Sequence, residues 1–84
     1  MEYTELHLRI ISPSKTEYEG SASMVVMPGA EGDFGVLPYH MPMIASLKDG
    51  NITIYRSGEI IKEIQITSGV ASVSTKGVDV LLAE

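Results

Sequence analysis

The sequence contains no cysteine and no tryptophan, a single phenylalanine, and no apolar run close to the roughly 20 residues that cross a bilayer as a helix. Each absence removes a possibility. Without cysteine there is no disulfide framework of the kind that small secreted domains rely on, which favours a reducing compartment. With one Phe and no Trp, the core must be aliphatic, built from Ile, Val, Leu and Met. Positive charge is also scarce: 6 Lys and Arg stand against 11 Asp and Glu, a net charge of −5. Such a chain has no basic face to neutralise phosphate, which argues against nucleic acid as a partner. The same sign disfavours anionic lipid, and direct membrane insertion is not expected. The opening MEYTELHLRI is acidic and alternating, and lacks the basic start and apolar run of a signal peptide.

What is present is alternation. At 84 residues the chain makes one domain, 1–84. In ELHLRII, Leu6, Leu8 and Ile10 share one face and His7 and Arg9 the other. SPSK breaks the run. TEYEG, SASMVVMP, MPMIASL, NITIYR, IIKEIQIT, SGVASVST and VDVLLAE follow as strands, divided by KDG, SGE and KG turns. Gly and Pro interrupt every window in which helical spacing would develop. The expectation is an all-β fold, an antiparallel β-sandwich of about ten short strands.

One stretch departs from the pattern. PGAEGDFGVLPYHMP, Pro28 to Pro42, packs three glycines, two acids, a histidine and three prolines into fifteen residues. Three chemistries fit parts of it. A phosphate loop would use the glycines, but it needs a helix N-terminus and usually a Lys, and Glu31 and Asp33 repel phosphate. A metal site would use Glu31, Asp33 and His40, but their spacing matches neither an EF-hand nor a zinc motif. A hydrolase would need a nucleophile elbow or an ordered Ser–His–acid set, and neither occurs. No catalytic, cofactor or metal residue is assigned. There remains an interaction surface, in which the adaptable side chains of Met41 and Met43 lie beside Ile44; a plain core strand is the competing account.

The same residues resemble a known family. MPGAEGDFGVLPYHMPMIASLKDGNITI is similar to the N-terminal domain of the epsilon subunit of rotary F-type ATP synthases. That family shows the order Gly29, Glu31, Gly32, Asp33, Phe34, Gly35, Val36, His40, Pro42, and its opening strand and ending resemble LHLRIISPSKTEYEG and SGVASVSTKGVDVLLAE. The resemblance implies a flattened β-sandwich and a non-catalytic rotor subunit of the central stalk, without a cofactor. Such a subunit links the gamma subunit to the membrane c-ring and helps couple ion translocation to ATP synthesis. It would sit peripherally at the cytoplasmic face of the bacterial plasma membrane. By position, Glu31, Asp33 and His40 correspond to c-ring contacts, and Ser12, Met41, Pro42 and Met43 to gamma-subunit contacts. Three positions depart from the pattern: Tyr39 stands where Gly is frequent, Met41 where Ala is common, and Ser72 where an acid often precedes Val73. Many relatives continue into a C-terminal helical hairpin; this chain ends at Glu84, where the hairpin would begin, so no such hairpin is expected. A stand-alone β-sandwich adaptor or ligand-binding module is the competing class.

Overall fold

A computed structural model of the protein describes residues 5–83. It contains nine strands among the described residues: β1 (Leu6–Ile11), β2 (Thr16–Ala22), β3 (Met24–Gly29), β4 (Gly32–Val36), β5 (Met43–Leu47), β6 (Gly50–Arg56), β7 (Glu59–Ile66), β8 (Gly69–Val73) and β9 (Gly77–Leu82). The final residue of the strand expected to reach Glu84 lies outside the described residues.

Alternation sets the faces as anticipated. Leu6, Leu8 and Ile10 of β1, Ile52 and Ile54 of β6, and Val78, Val80 and Leu82 of β9 are all buried. They join Val25, Met27, Val36, Leu47, Ile64, Ile66 and Val73 in one aliphatic core, with Tyr18 and Phe34 packed against it. Removing a large member of such a core, for instance by Ile54→Ala, costs about 2–5 kcal/mol.

The strands follow the order β2-β1-β9-β8-β5-β3-β6-β7, with β4 on the other flank of β3. Among the described residues the sheet is continuous only through the single β3–β5 pair, Gly29 with Leu47. It therefore behaves as two layers, β2-β1-β9-β8-β5 and β4-β3-β6-β7, whose inward residues share the core. Two details differ from the sequence expectation. The β1–β9 pair is parallel, while every other pair is antiparallel. First and last strands pair here across the whole chain, and local turn signals carry no information about that. The break expected between Gly20 and Ser21 falls instead at Ser23, where the chain leaves one layer for the other. The Ser23 N–H and hydroxyl both donate to the Tyr55 carbonyl, at 2.8 and 3.1 Å. Arg56 closes that side, its guanidinium donating to the Ser21 carbonyl at 2.9 Å.

The parallel pair has a strict steric condition. His7 is the register partner of Gly77, and a Cβ on Gly77 would overlap the His7 carbonyl. Gly58 differs: it lies at φ +82° in the tight Ser57–Gly58 turn, with open space around it. Gly77→Ala should therefore lower unfolding stability by about 3 kcal/mol, as a backbone displaced by overpacking does. Gly58→Ala should cost only about 1 kcal/mol, the backbone cost of a left-handed residue. Urea denaturation of the two variants checks the ranking, and equal losses would refute the steric account of Gly77.

Candidate functional site

The glycine-rich stretch is a β-hairpin with a long connection behind it. β3 and β4 pair in register from Val25–Val36 to Gly29–Gly32, so a strand lies within the stretch that departs from the alternating pattern. Ala30 and Glu31 form its two-residue tip. A Cβ on Gly29 would lie 2.7 Å from the Gly32 carbonyl and 2.8 Å from the Phe34 ring, and Gly32 itself sits at φ +132°. Two of the three glycines are thus required by the turn. Gly35 is not: a Cβ there would meet only ordinary contacts at 3.8 Å, and its φ is not positive.

The hairpin is fixed to the neighbouring layer at its tip. Ala30 N–H donates to the Ser46 carbonyl, and Lys48 N–H to the Pro28 carbonyl, each at 2.9 Å. Glu31 and Asp33 are exposed there, and neither has a cation within ion-pair reach among the described residues. They rim a cleft of about 590 Å³ between the hairpin and β5, whose walls include Phe34, Met43, Ile44 and Ala45.

Behind the hairpin, residues 37–42 cross from β4 to β5 and carry a run of exposed apolar side chains. Tyr39 is 68% exposed and Met41 77%; Ile44, the second residue of β5, is also 77% exposed. Tyr39 adopts φ +65°, the left-handed region, which supplies a physical reason for Gly being frequent at this position in the family it resembles. The His40 Nδ1–H donates to the Met41 carbonyl at 2.7 Å, so that nitrogen is tied to its own loop. Among the described residues no three His, Cys, Asp or Glu side chains converge on a point where a metal could bind.

The residues named from sequence do not form one cluster. Glu31, Asp33 and Met43 line the same cleft, and His40, Met41 and Pro42 follow it in the connection. Ser12 lies elsewhere. It continues β1 past Ile11, level with Leu82 and Leu47, whereas Met43 is level with Val73, Val78 and Leu8 at the other end of that layer. Four residues along the strands and several strands across put Ser12 about 20 Å from Met43. It is also buried at 6% exposure, its hydroxyl donating to the Lys15 carbonyl at 3.1 Å and accepting from Lys15 N–H at 3.3 Å. Sequence reasoning passed over the outward pair Val70 and Leu81, which are register partners and both exposed. The doublet Leu81–Leu82 was the signal, since alternation can bury only one of them.

Ser12→Ala should therefore cost about 1 kcal/mol by loss of a turn hydrogen bond. For a domain of this size that lowers Tm by roughly 4–8 °C. An unchanged Tm would show that the hydroxyl contributes nothing to the isolated fold.

Comparison with known proteins agrees with this geometry. Residues 5–84 match the family model described as the beta-sandwich domain of the ATP synthase Delta/Epsilon chain. The chain is 38% identical over 77 residues to the ATP synthase epsilon chain of Caulobacter vibrioides, covering 92% of this chain and 88% of that protein. It is 43% identical over 75 residues to the epsilon chain of Afipia carboxidovorans, covering 89% of this chain and 54% of the relative. This chain thus spans nearly all of one relative and about half of the other. In structure it superposes on a chain of the Euglena gracilis mitochondrial ATP synthase, solved with its c-ring, at TM-score 0.83 and 23% identity, covering 98% of this chain and 52% of that one. A chain of the Tetrahymena thermophila central stalk and c-ring superposes at TM-score 0.78 and 13% identity, covering 100% and 67%. At these identities the two structures support the fold alone.

Proposed function

Because the chain belongs to the ATP synthase delta/epsilon β-sandwich family, we propose that it is a non-catalytic subunit of the central rotor stalk, joining the gamma subunit to the membrane c-ring. The domain 1–84 would carry this role without a cofactor or metal, held peripherally at the cytoplasmic face of the bacterial plasma membrane. The observation that carries the proposal is an acidic hairpin tip that shares a cleft with exposed apolar surface. Glu31 and Asp33 line the cleft together with the exposed Ile44 of β5, and Tyr39 and Met41, also exposed, lie in the connection that leads into β5.

That combination suits a protein contact better than a chemical site. Exposed carboxylates on a pinned hairpin can pair with guanidinium groups of a partner, and such pairs orient a contact more than they tighten it. Exposed methionines and a tyrosine supply area that packs adaptably. Glu31, Asp33 and His40 are assigned to the c-ring side, and Met41, Pro42 and Met43 to the gamma side. Ser12 would reach gamma only if gamma covered the far end of the β1 layer as well. Through these contacts the domain would help transmit ring rotation, coupling ion translocation to ATP synthesis.

Co-expression with the gamma subunit and a c-ring, followed by native purification, tests the assignment. The wild-type chain should remain in the complex. The double variant Glu31→Arg, Asp33→Arg should lose at least about tenfold in affinity for the ring, since like charges now face each other. Retention of the double variant at wild-type level would remove the electrostatic half of the proposal. Failure of the wild-type chain to bind either partner would remove the whole.

A further inference from the structure

Among the described residues, three strands pair with a neighbouring strand on one flank only, and they are not alike. β2 pairs only with β1, and the register slips at Ile10–Ile11. β7 pairs only with β6, with a second slip at Ile54–Tyr55, and carries Lys62 at its middle. Such irregularities and edge lysines are the usual guards against added strands. β4 has neither: its five pairs with β3 run without a shift, and no cation lies in Gly32–Val36.

The phase of the β3–β4 pairing fixes which backbone groups β4 offers outward. Gly29 and Gly32 close a two-residue turn, and the closing pair of such a hairpin exchanges its hydrogen bonds. Bonded pairs then fall at Gly32, Phe34 and Val36. Asp33 and Gly35 turn their N–H and C=O groups away from β3. Pro28 confirms the phase, because it faces Asp33, has no N–H to give, and sends its carbonyl to Lys48 instead. Gly32, Asp33 and Gly35 are all exposed. Gly35 is also the one glycine of the hairpin that the fold itself does not require, and a bare glycine within a strand marks a place where another backbone can approach.

We propose that β4 receives an extended segment of a partner protein as an added strand, bonded through the Asp33 and Gly35 backbone. The side-chain pattern of the occupant follows from the faces of β4. A residue opposite Asp33 shares its outward face, beside Glu31, and must be Lys or Arg. A residue opposite Phe34 shares its inward face, over the cleft lined by Met43 and Ala45, and must be apolar. The occupant is thus a basic, alternating strand, chosen by charge complementarity with the two carboxylates and by backbone pairing. This rests on the stalk role only for the identity of the subunit that brings the segment.

The test uses the isotope-labelled chain and a heptapeptide alternating arginine and valine. At saturating peptide, amide exchange at Asp33 and Gly35 should slow by at least about tenfold, with no comparable change along β2 or β7. The same peptide N-methylated on its pairing face keeps every side chain and loses the backbone donors, so it should not protect either amide. Gly35→Pro should also abolish protection at Asp33, the reporter amide that remains, with Tm preserved, because the N–H it removes is not used by β3. Protection by the N-methylated peptide, protection at another edge, or none at saturation would each overturn strand addition. In the assembled stalk the two proposals separate. If wild type binds gamma and ring while Asp33 and Gly35 exchange freely, strand addition is wrong and the stalk role stands. If wild type binds neither, the stalk role falls and the peptide titration alone decides strand addition.

Discussion

Two backbone hydrogen bonds at one corner hold the acidic hairpin where it is, from Ala30 N–H to Ser46 and from Lys48 N–H to Pro28. Among the described residues they are the only join between β3 and β5, and so the only place where the two layers form one sheet. The join depends on Gly29. A side chain there would strike the Gly32 carbonyl and the Phe34 ring, opening the turn and moving Phe34 off the core. Position of the tip, closure of the core by Phe34 and continuity of the sheet are thus consequences of one missing Cβ. On the opposite side the sandwich closes differently: Ser23, just past β2, bonds to Tyr55 of β6, and Arg56 of β6 bonds back to Ser21 of β2. The molecule is latched along one side and carries its cleft on the other.

The legible part of the fold was the part governed by side-chain period. The buried faces of β1, β6 and β9, and the hairpin turn at Ser57–Gly58, follow from alternation and turn chemistry. Pairing across the chain was not legible: the parallel contact of β1 with β9 depends on Gly77 fitting under His7, and a lone glycine in a KG turn reads the same whether or not a strand lies against it. β4 was missed for a related reason. GDFGV has two glycines and an acid in five residues, so its composition is that of a turn, and only the in-register match with β3 makes it a strand. At the site, the exposure of Glu31 and Asp33 was legible from their setting among glycines. The separation of Ser12 from Met43 was not, because both flank apolar strands and only the register shows that they lie at opposite ends of one layer.

Tyr39 shows how a departure from a family pattern can be read physically. A non-glycine residue at φ +65° carries a conformational cost of about 1–2 kcal/mol, which glycine would avoid. The chain accepts that cost in the loop between β4 and β5, where the ring is largely exposed. Local strain of this kind persists where the surrounding structure over-determines it, and Pro38 and the strands on either side restrict the loop here. The gain is an exposed aromatic side chain in the connection, two residues before the exposed Met41. In the proposed stalk role, that adds contact area to the connection.

The division of labour between the acidic hairpin and the exposed apolar residues follows from magnitudes. Exposed ion pairs are worth about 0–1 kcal/mol each and weaken with salt. The Arg9–Asp79 pair at 3.4 Å, about half exposed, illustrates the weak kind within this fold. Glu31 and Asp33 would gain little more from pairing with a partner in open solvent. Burying Tyr39, Met41 and Ile44 would remove far more apolar area from water, at about 25 cal/mol per Å². Affinity in the proposed contact therefore lies with the apolar loop, and orientation with the acidic hairpin. A rotor contact has reason to separate the two. The apolar surface resists being pulled apart, while charges on a pinned turn fix the angle at which the partner sits. The pinning makes that angle meaningful, since the same carboxylates on a mobile loop would pair without transmitting torque.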